Sequence, residues 1–140
     1  MLVAAAVAQA SSSTARSISR ESYETRLFQL LNAERSRYGL RPLARARCAT
    51  GFASRWAERI AHEQWLHHQS VEKVLASCEA RRAAENIAMG GVTPEGMIRM
   101  WRQSRPHRAT ILNPRLTHVG LGARPASNGD WYAVQVFLGY

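Results

Sequence analysis

The segment from Val119 to Leu138 constrains the fold most: two β-prone runs flank Asn128-Gly129, the strongest short turn signal a chain can carry. In the first run Val119, Leu121 and Ala123 alternate with Gly120, Gly122 and Arg124, and in the second Trp131 to Leu138 is rich in β-branched and aromatic residues. Upstream, four segments read as helices. Tyr23, Leu27, Leu30 and Leu31 share one face of a helix expected from about Glu21 to Tyr38, stopped by Gly39 and Pro42. A second helix is expected from about Ala44 to Gln64, with Ala49, Phe52, Ala53, Trp56 and Ile60 on one stripe and Arg47, Arg55, Glu58 and Arg59 on the other. A short third helix is expected over Val71 to Ser77. A fourth starts at Thr93-Pro94-Glu95, where Thr93 caps, Pro94 fits the first turn and Glu95 meets the positive end of the dipole. Met97, Ile98 and Trp101 form its apolar face, and Pro106 is expected to end it. Helices first and strands last predict an α+β domain.

With 140 residues, 46% of them hydrophobic, the chain can build one ordinary core and not two. No apolar stretch reaches the roughly 20 residues of a membrane-spanning helix. Lys and Arg number 19 against 10 Asp and Glu, and every basic residue but Lys73 is arginine. That balance suits solvated surface charge or an anionic partner such as an envelope polymer or lipid surface; no zinc-finger spacing or recognition helix specifies nucleic acid.

At the N-terminus, Leu2 to Val7 is apolar and Ala8-Gln9-Ala10 has the small-x-small pattern of a cleavage site. Residues 1–10 read as the remnant of an export signal and 11–20 as a disordered lead-in, with the folded domain at 21–140. No Lys or Arg precedes the apolar stretch, so a flexible alanine-rich terminus is the alternative. Cys48 and Cys78 suit a disulfide in an exported domain. Closing a loop of that length stabilises by about 3 to 4 kcal/mol in the chain-entropy model. The alternative is that Cys48 is a small buried hydrophobe on a helix and Cys78 an unrelated thiol.

The run AENIAMG from Ala84 to Gly90, followed by Trp101-Arg-Gln-Ser104-Arg-Pro-His107, resembles the signature of the CAP superfamily, the cysteine-rich secretory proteins, antigen 5 and pathogenesis-related proteins, in its bacterial form. LLNAERSRYGLRPL from Leu30, THVGLG from Thr117 and WYAVQVF from Trp131 extend the likeness. The resemblance implies a three-layer α-β-α sandwich (SCP domain) ending in a β-hairpin. It further implies a cleft in which His68, Glu85 and His107 converge and which in some members holds zinc or another divalent metal. The family's second glutamate is replaced by Ser104, as in bacterial-type members, which leaves His68, His107 and Glu85 as the metal set and adds Ser104 to the ligand-binding set.

Two imidazoles would leave zinc two ligands short of tetrahedral. Glu85 is expected either to ligate or hold a water, or to belong with the histidines to a purely structural hydrogen-bond network. The function expected is that of an exported (secreted or periplasmic) binding or envelope-associated module without catalysis, taking a divalent metal or a lipid-like or other small ligand. The alternative is a zinc-dependent hydrolase acting on a peptide or cell-envelope substrate. The stretch His62-Glu63-Gln-Trp-Leu-His67 imitates a metalloprotease motif, but its i, i+5 spacing turns the second ring about 140° away on a helix. Ser104 lacks the Gly-x-Ser-x-Gly elbow of a nucleophile and is expected to bond backbone near the helix end. His118 is expected at the surface, and Asn86 is expected to tie a loop through its amide.

Overall fold

The computed structural model describes residues 17–140; the export signal expected over 1–10 and most of the lead-in lie outside them. The chain runs α1 (Arg20–Arg37), β1 (Ala44–Arg45), α2 (Arg47–Glu63), α3 (Val71–Ser77), β2 (Arg82–Gly90), α4 (Pro94–Gln103), α5 (Arg105–Ile111), β3 (His118–Pro125) and β4 (Trp131–Gly139). The four strands form one mixed sheet in the order β1-β3-β4-β2, antiparallel except for the parallel β1–β3 pair. Helices α2 and α3 lie on one face and α1, α4 and α5 on the other, the α+β three-layer sandwich.

Strand β4 is buried from Tyr132 to Gly139, because it lies between two strands and beneath helices on both faces. Its side chains alternate between two cores: Ala133 and Phe137 join Tyr23, Leu27, Leu31, Met97 and Trp101, whereas Tyr132, Val134, Val136 and Leu138 join Ala49, Ala53, Ala57 and Ile60. On β3, Val119, Leu121 and Ala123 face the first core. Gly120 and Gly122 face α2, where an added Cβ would lie 2.1 Å from the Ala49 carbonyl carbon and 2.3 Å from the Ala53 carbonyl oxygen. The glycines, with Ala49 and Ala53 opposite, bring helix backbone onto sheet backbone.

Ser19, Ser70 and Thr93 cap α1, α3 and α4 by accepting from amides three residues on. Gly129 supplies the positive φ of the β3–β4 turn. The two cysteines form one disulfide, Cys48–Cys78, tying the start of α2 to the end of α3.

Three elements depart from the sequence expectation. Residues 44–45 are strand rather than the start of α2, because Ala44 and Ala46 donate to Thr117 and Val119 of the neighbouring segment before Ala46 can accept from Thr50. Pro106 does not simply end α4: α4 stops at Ser104, and Pro106 sits in the first turn of a further helix, α5, where its missing N–H costs nothing. Most consequentially, the Ala84–Gly90 run, to which the sequence pattern assigns no element, is most of β2, paired along its length with β4. Its alanines and asparagine carry little intrinsic strand preference, and β4 imposes the conformation. No helix among the described residues is long and apolar enough to cross a membrane.

Candidate functional site

Strand β2 is the edge of the sheet, and successive side chains on it point to opposite faces. Ile87 enters the α2-side core and Ala88 the α1-side core, so Glu85 and Asn86 are likewise divided between the layers. Each holds one of the two candidate histidines. On the α2 side, the Glu85 side chain is 2% exposed and its Oε1 accepts from His68 Nδ1 at 2.8 Å and from the Gln69 amide at 3.2 Å. Its Oε2 accepts from Gln69 Nε2 at 2.6 Å. On the α1 side, Asn86 Nδ2 donates to the His107 carbonyl at 3.0 Å and to Gln135 Oε1, directly across on β4, at 3.2 Å. The Glu85-Asn86 dipeptide thus braces a loop from one layer and a helix from the other against the same strand.

The loop bearing His68 is built by the end of α2. Gln64 takes the left-handed conformation and closes the helix, its amide returning to Ala61. Trp56 Nε1 then holds the His67 carbonyl at 2.8 Å, while the His67 ring stacks on Trp65 at 3.7 Å. His62 is helical and His67 is not, so the pair cannot form a zincin site. With Nδ1 spent on Glu85, His68 keeps its hydrogen there and leaves Nε2 as the outward-facing acceptor, on a side chain 56% exposed.

His107 sits half-buried in the first turn of α5, aimed by the extended joint at Ser104. Burial, and then the positive charge that His68 can carry, hold its pKa below the usual imidazole value. His107 therefore stays neutral, and the coupling places the two imidazoles within electrostatic reach. Ser104 is half-buried at the α4–α5 joint, where its amide donates to Trp101 and its carbonyl accepts from Arg108; its side chain caps neither helix. His118 packs edge-on against Tyr140 and meets the Thr117 hydroxyl at 2.8 Å, away from the site and less exposed than its sequence context suggested.

Glu85 is already engaged in hydrogen bonds. Three donors occupy its carboxylate, and among the described residues no three His, Cys, Asp or Glu side chains are grouped to hold a metal ion. The donors that fit a cation are the two imidazoles, with Glu85 behind His68 as the carboxylate that sets its tautomer. Gln69, Trp56 and Gln135 were missed as supporting residues. Gln135 left a signal, a lone amide within the apolar run Tyr132 to Leu138.

Comparison with known proteins gives a consistent answer. A model of the cysteine-rich secretory protein family, CAP, matches residues 28–137. The Bacillus subtilis protein YkwD, itself uncharacterized, is 35% identical over 107 residues, which cover 71% of this chain but only 42% of YkwD. An extracellular SCP-domain protein of Bacillus anthracis matches with a TM-score of 0.76 at 22% identity, over 86% of this chain and 41% of the other. An outer surface protein of Borrelia burgdorferi matches with a TM-score of 0.78 at 14% identity, over 87% of this chain and 96% of its own. At such identities the structures speak for the fold.

Proposed function

The chain belongs to the cysteine-rich secretory protein (CAP) family, in its bacterial form, and from that premise we propose that it works outside the cytoplasm as a non-catalytic binding module. Its cleft, flanked by His68 and His107, takes a divalent cation such as zinc or a small or lipid-like ligand, and its arginine-rich surface meets an anionic envelope partner. The observation that carries this reading is the Glu85–His68 pair: a buried carboxylate fixes one imidazole with its Nε2 outward, within electrostatic reach of a second imidazole kept neutral by burial. The extracytoplasmic setting is supported by the disulfide and by the extracellular and surface proteins that share the fold.

Both imidazoles must be neutral to bind a metal, and burial disposes His107 to be so. Bound there, a dication would keep open positions for a Lewis-basic group of a ligand. Trp65 and Leu66, exposed in the loop before His68, add apolar surface suited to a lipid-like ligand. The alternative, a zinc-dependent hydrolase, needs a free general base, and the commitment of both Glu85 oxygens favours binding over catalysis.

Calorimetric titration with zinc at neutral pH tests the cation reading. Binding should be lost in His68→Ala and His107→Ala. In Glu85→Gln, which keeps the shape but not the charge behind His68, it should weaken by about 10- to 100-fold. No zinc affinity in the wild type would reject the metal site and leave the cleft to uncharged ligands.

A further inference from the structure

Arginine recurs at every third position across the α4–α5 joint, at Arg99, Arg102, Arg105 and Arg108, and no Asp or Glu occurs from Gly96 to Gly129. Arg102, Arg105 and Arg108 line one depression of about 320 Å³ whose remaining walls are Gln103, Ala109 and Leu112. Arg99 is exposed on the preceding turn of α4, and Arg37 joins from the end of α1. The acidic group in contact with this cluster is Glu34, 4% exposed beneath Arg102 at 3.0 Å and Arg37 at 3.5 Å. Arg108 is held by the Tyr38 hydroxyl and lies over the Tyr38 ring, whereas the Arg105 and Arg99 side chains make no hydrogen bond or ion pair among the described residues.

Like charges three residues apart on a helix repel, so the arrangement destabilises the free protein. A concave site ringed by guanidinium forks matches a phosphate group, whose several oxygens accept from more than one arginine at once. Resting on the proposed anionic partner, we infer that this depression is where that partner docks, and that the partner is a polymer carrying repeated phosphate groups. A bilayer fits less well: the wall is concave, and the exposed Trp65, Leu66 and Met100 do not line it.

The test compares two double variants of equal charge. Arg99→Glu with Arg105→Glu strikes the cluster, and Arg47→Glu with Arg81→Glu changes exposed arginines outside it. Binding of long-chain polyphosphate is measured beside inorganic phosphate and phosphatidylglycerol vesicles. The inference expects wild-type affinity for polyphosphate to fall at least tenfold in the cluster variant and less than threefold in the control. It also expects a steep loss with salt and far weaker binding of inorganic phosphate.

Equal losses in the two variants would overturn the site while leaving a diffuse anionic preference standing. Failure of the wild type to bind either polyphosphate or vesicles would overturn both, and vesicle binding without polyphosphate binding would overturn the polymer and put a membrane in its place. Should the cluster variant not fold, phenylglyoxal modification of the wild type decides. Polyphosphate should shield Arg99 and Arg105 but not Arg47 and Arg81, and uniform shielding would overturn the site.

Discussion

Gly120→Ala tests the contact on which the α2 layer rests. The new methyl would stand 2.1 Å from both the Ala49 carbonyl carbon and the Thr50 amide nitrogen, where ordinary contact begins at 3.4 Å. Helix α2 would have to retreat by about 1.3 Å, and no rotamer can absorb the shift because the opposing atoms are backbone. Overpacking in a well-filled core costs about 1 to 3 kcal/mol where side chains can yield. Here the cost belongs at or above the upper figure, since Ala49, Ala53 and Ala57, all fully buried, lose contact together. A loss of about 3 kcal/mol is a large part of the roughly 5 to 15 kcal/mol that holds such a domain together.

Urea unfolding followed by tryptophan fluorescence measures it, with Gly51→Ala as the control. That glycine lies within α2 and its added Cβ meets chiefly the Arg55 guanidinium tip at 3.1 Å, so the variant should be neutral or gain up to about 1 kcal/mol. Because α2 also carries Trp56, which pins the loop before His68, Gly120→Ala should weaken any zinc binding. A Gly120→Ala protein within about 0.5 kcal/mol of wild type, inside the range of ordinary surface substitutions, would refute the backbone-on-backbone seating.

Arg35 is 2% exposed and donates to the carbonyls of Arg41, Ile111, Asn113 and Leu116, clamping the end of α1 to the α5–β3 connection. Arg35→Met should cost about 3 to 5 kcal/mol in denaturant unfolding, and Arg35→Lys nearly as much, because one ammonium cannot serve four carbonyls. Opening the disulfide through Cys48→Ala with Cys78→Ala should cost about 2 to 5 kcal/mol, and thiol counting on the unreduced wild type should find no free cysteine. For His107, burial and the charge on His68 depress the folded-state pKa, so the unfolded chain takes up its proton first. Its contribution to stability is complete above about pH 6.5 and is lost as pH falls toward the depressed folded value. Proton NMR should place the His107 titration below that of a free imidazole and move it upward in His68→Ala; an unmoved titration would contradict the coupling.

The elements written in local chemistry were legible in the sequence: the Thr93-Pro94 start of α4, α3, the Gly129 turn and the alternating residues of β3 follow from capping, propensity and period. Those set by a distant partner were not. Residues 44–45 form a strand because β3 offers carbonyls and amides, and β2 forms because β4 lies beside it. Helix α5 was hidden because proline stops one helix and starts another by the same fixed φ.

The site belongs mainly to the second class, since no period relates His68, Glu85 and His107; only the resemblance implies that they share a cleft, and β2 shows that Glu85 bonds the His68 ring while Asn86 holds the His107 carbonyl. Two adjacent polar residues within an apolar run, once recognised as strand, must point into different layers, so Glu85 and Asn86 reach the loop after α2 and the helix after Ser104 respectively. The brace is unequal, because Glu85 holds a side chain and Asn86 a backbone carbonyl. Glu85 fixes which nitrogen of His68 carries the hydrogen, while Asn86 fixes the α5 backbone at His107 and makes no bond to its ring. With serine rather than glutamate at position 104, that wall supplies no carboxylate of its own. In the proposed cation site the anionic charge would then come from the α2 side alone, and His68, fixed by Glu85, would be the better-ordered donor.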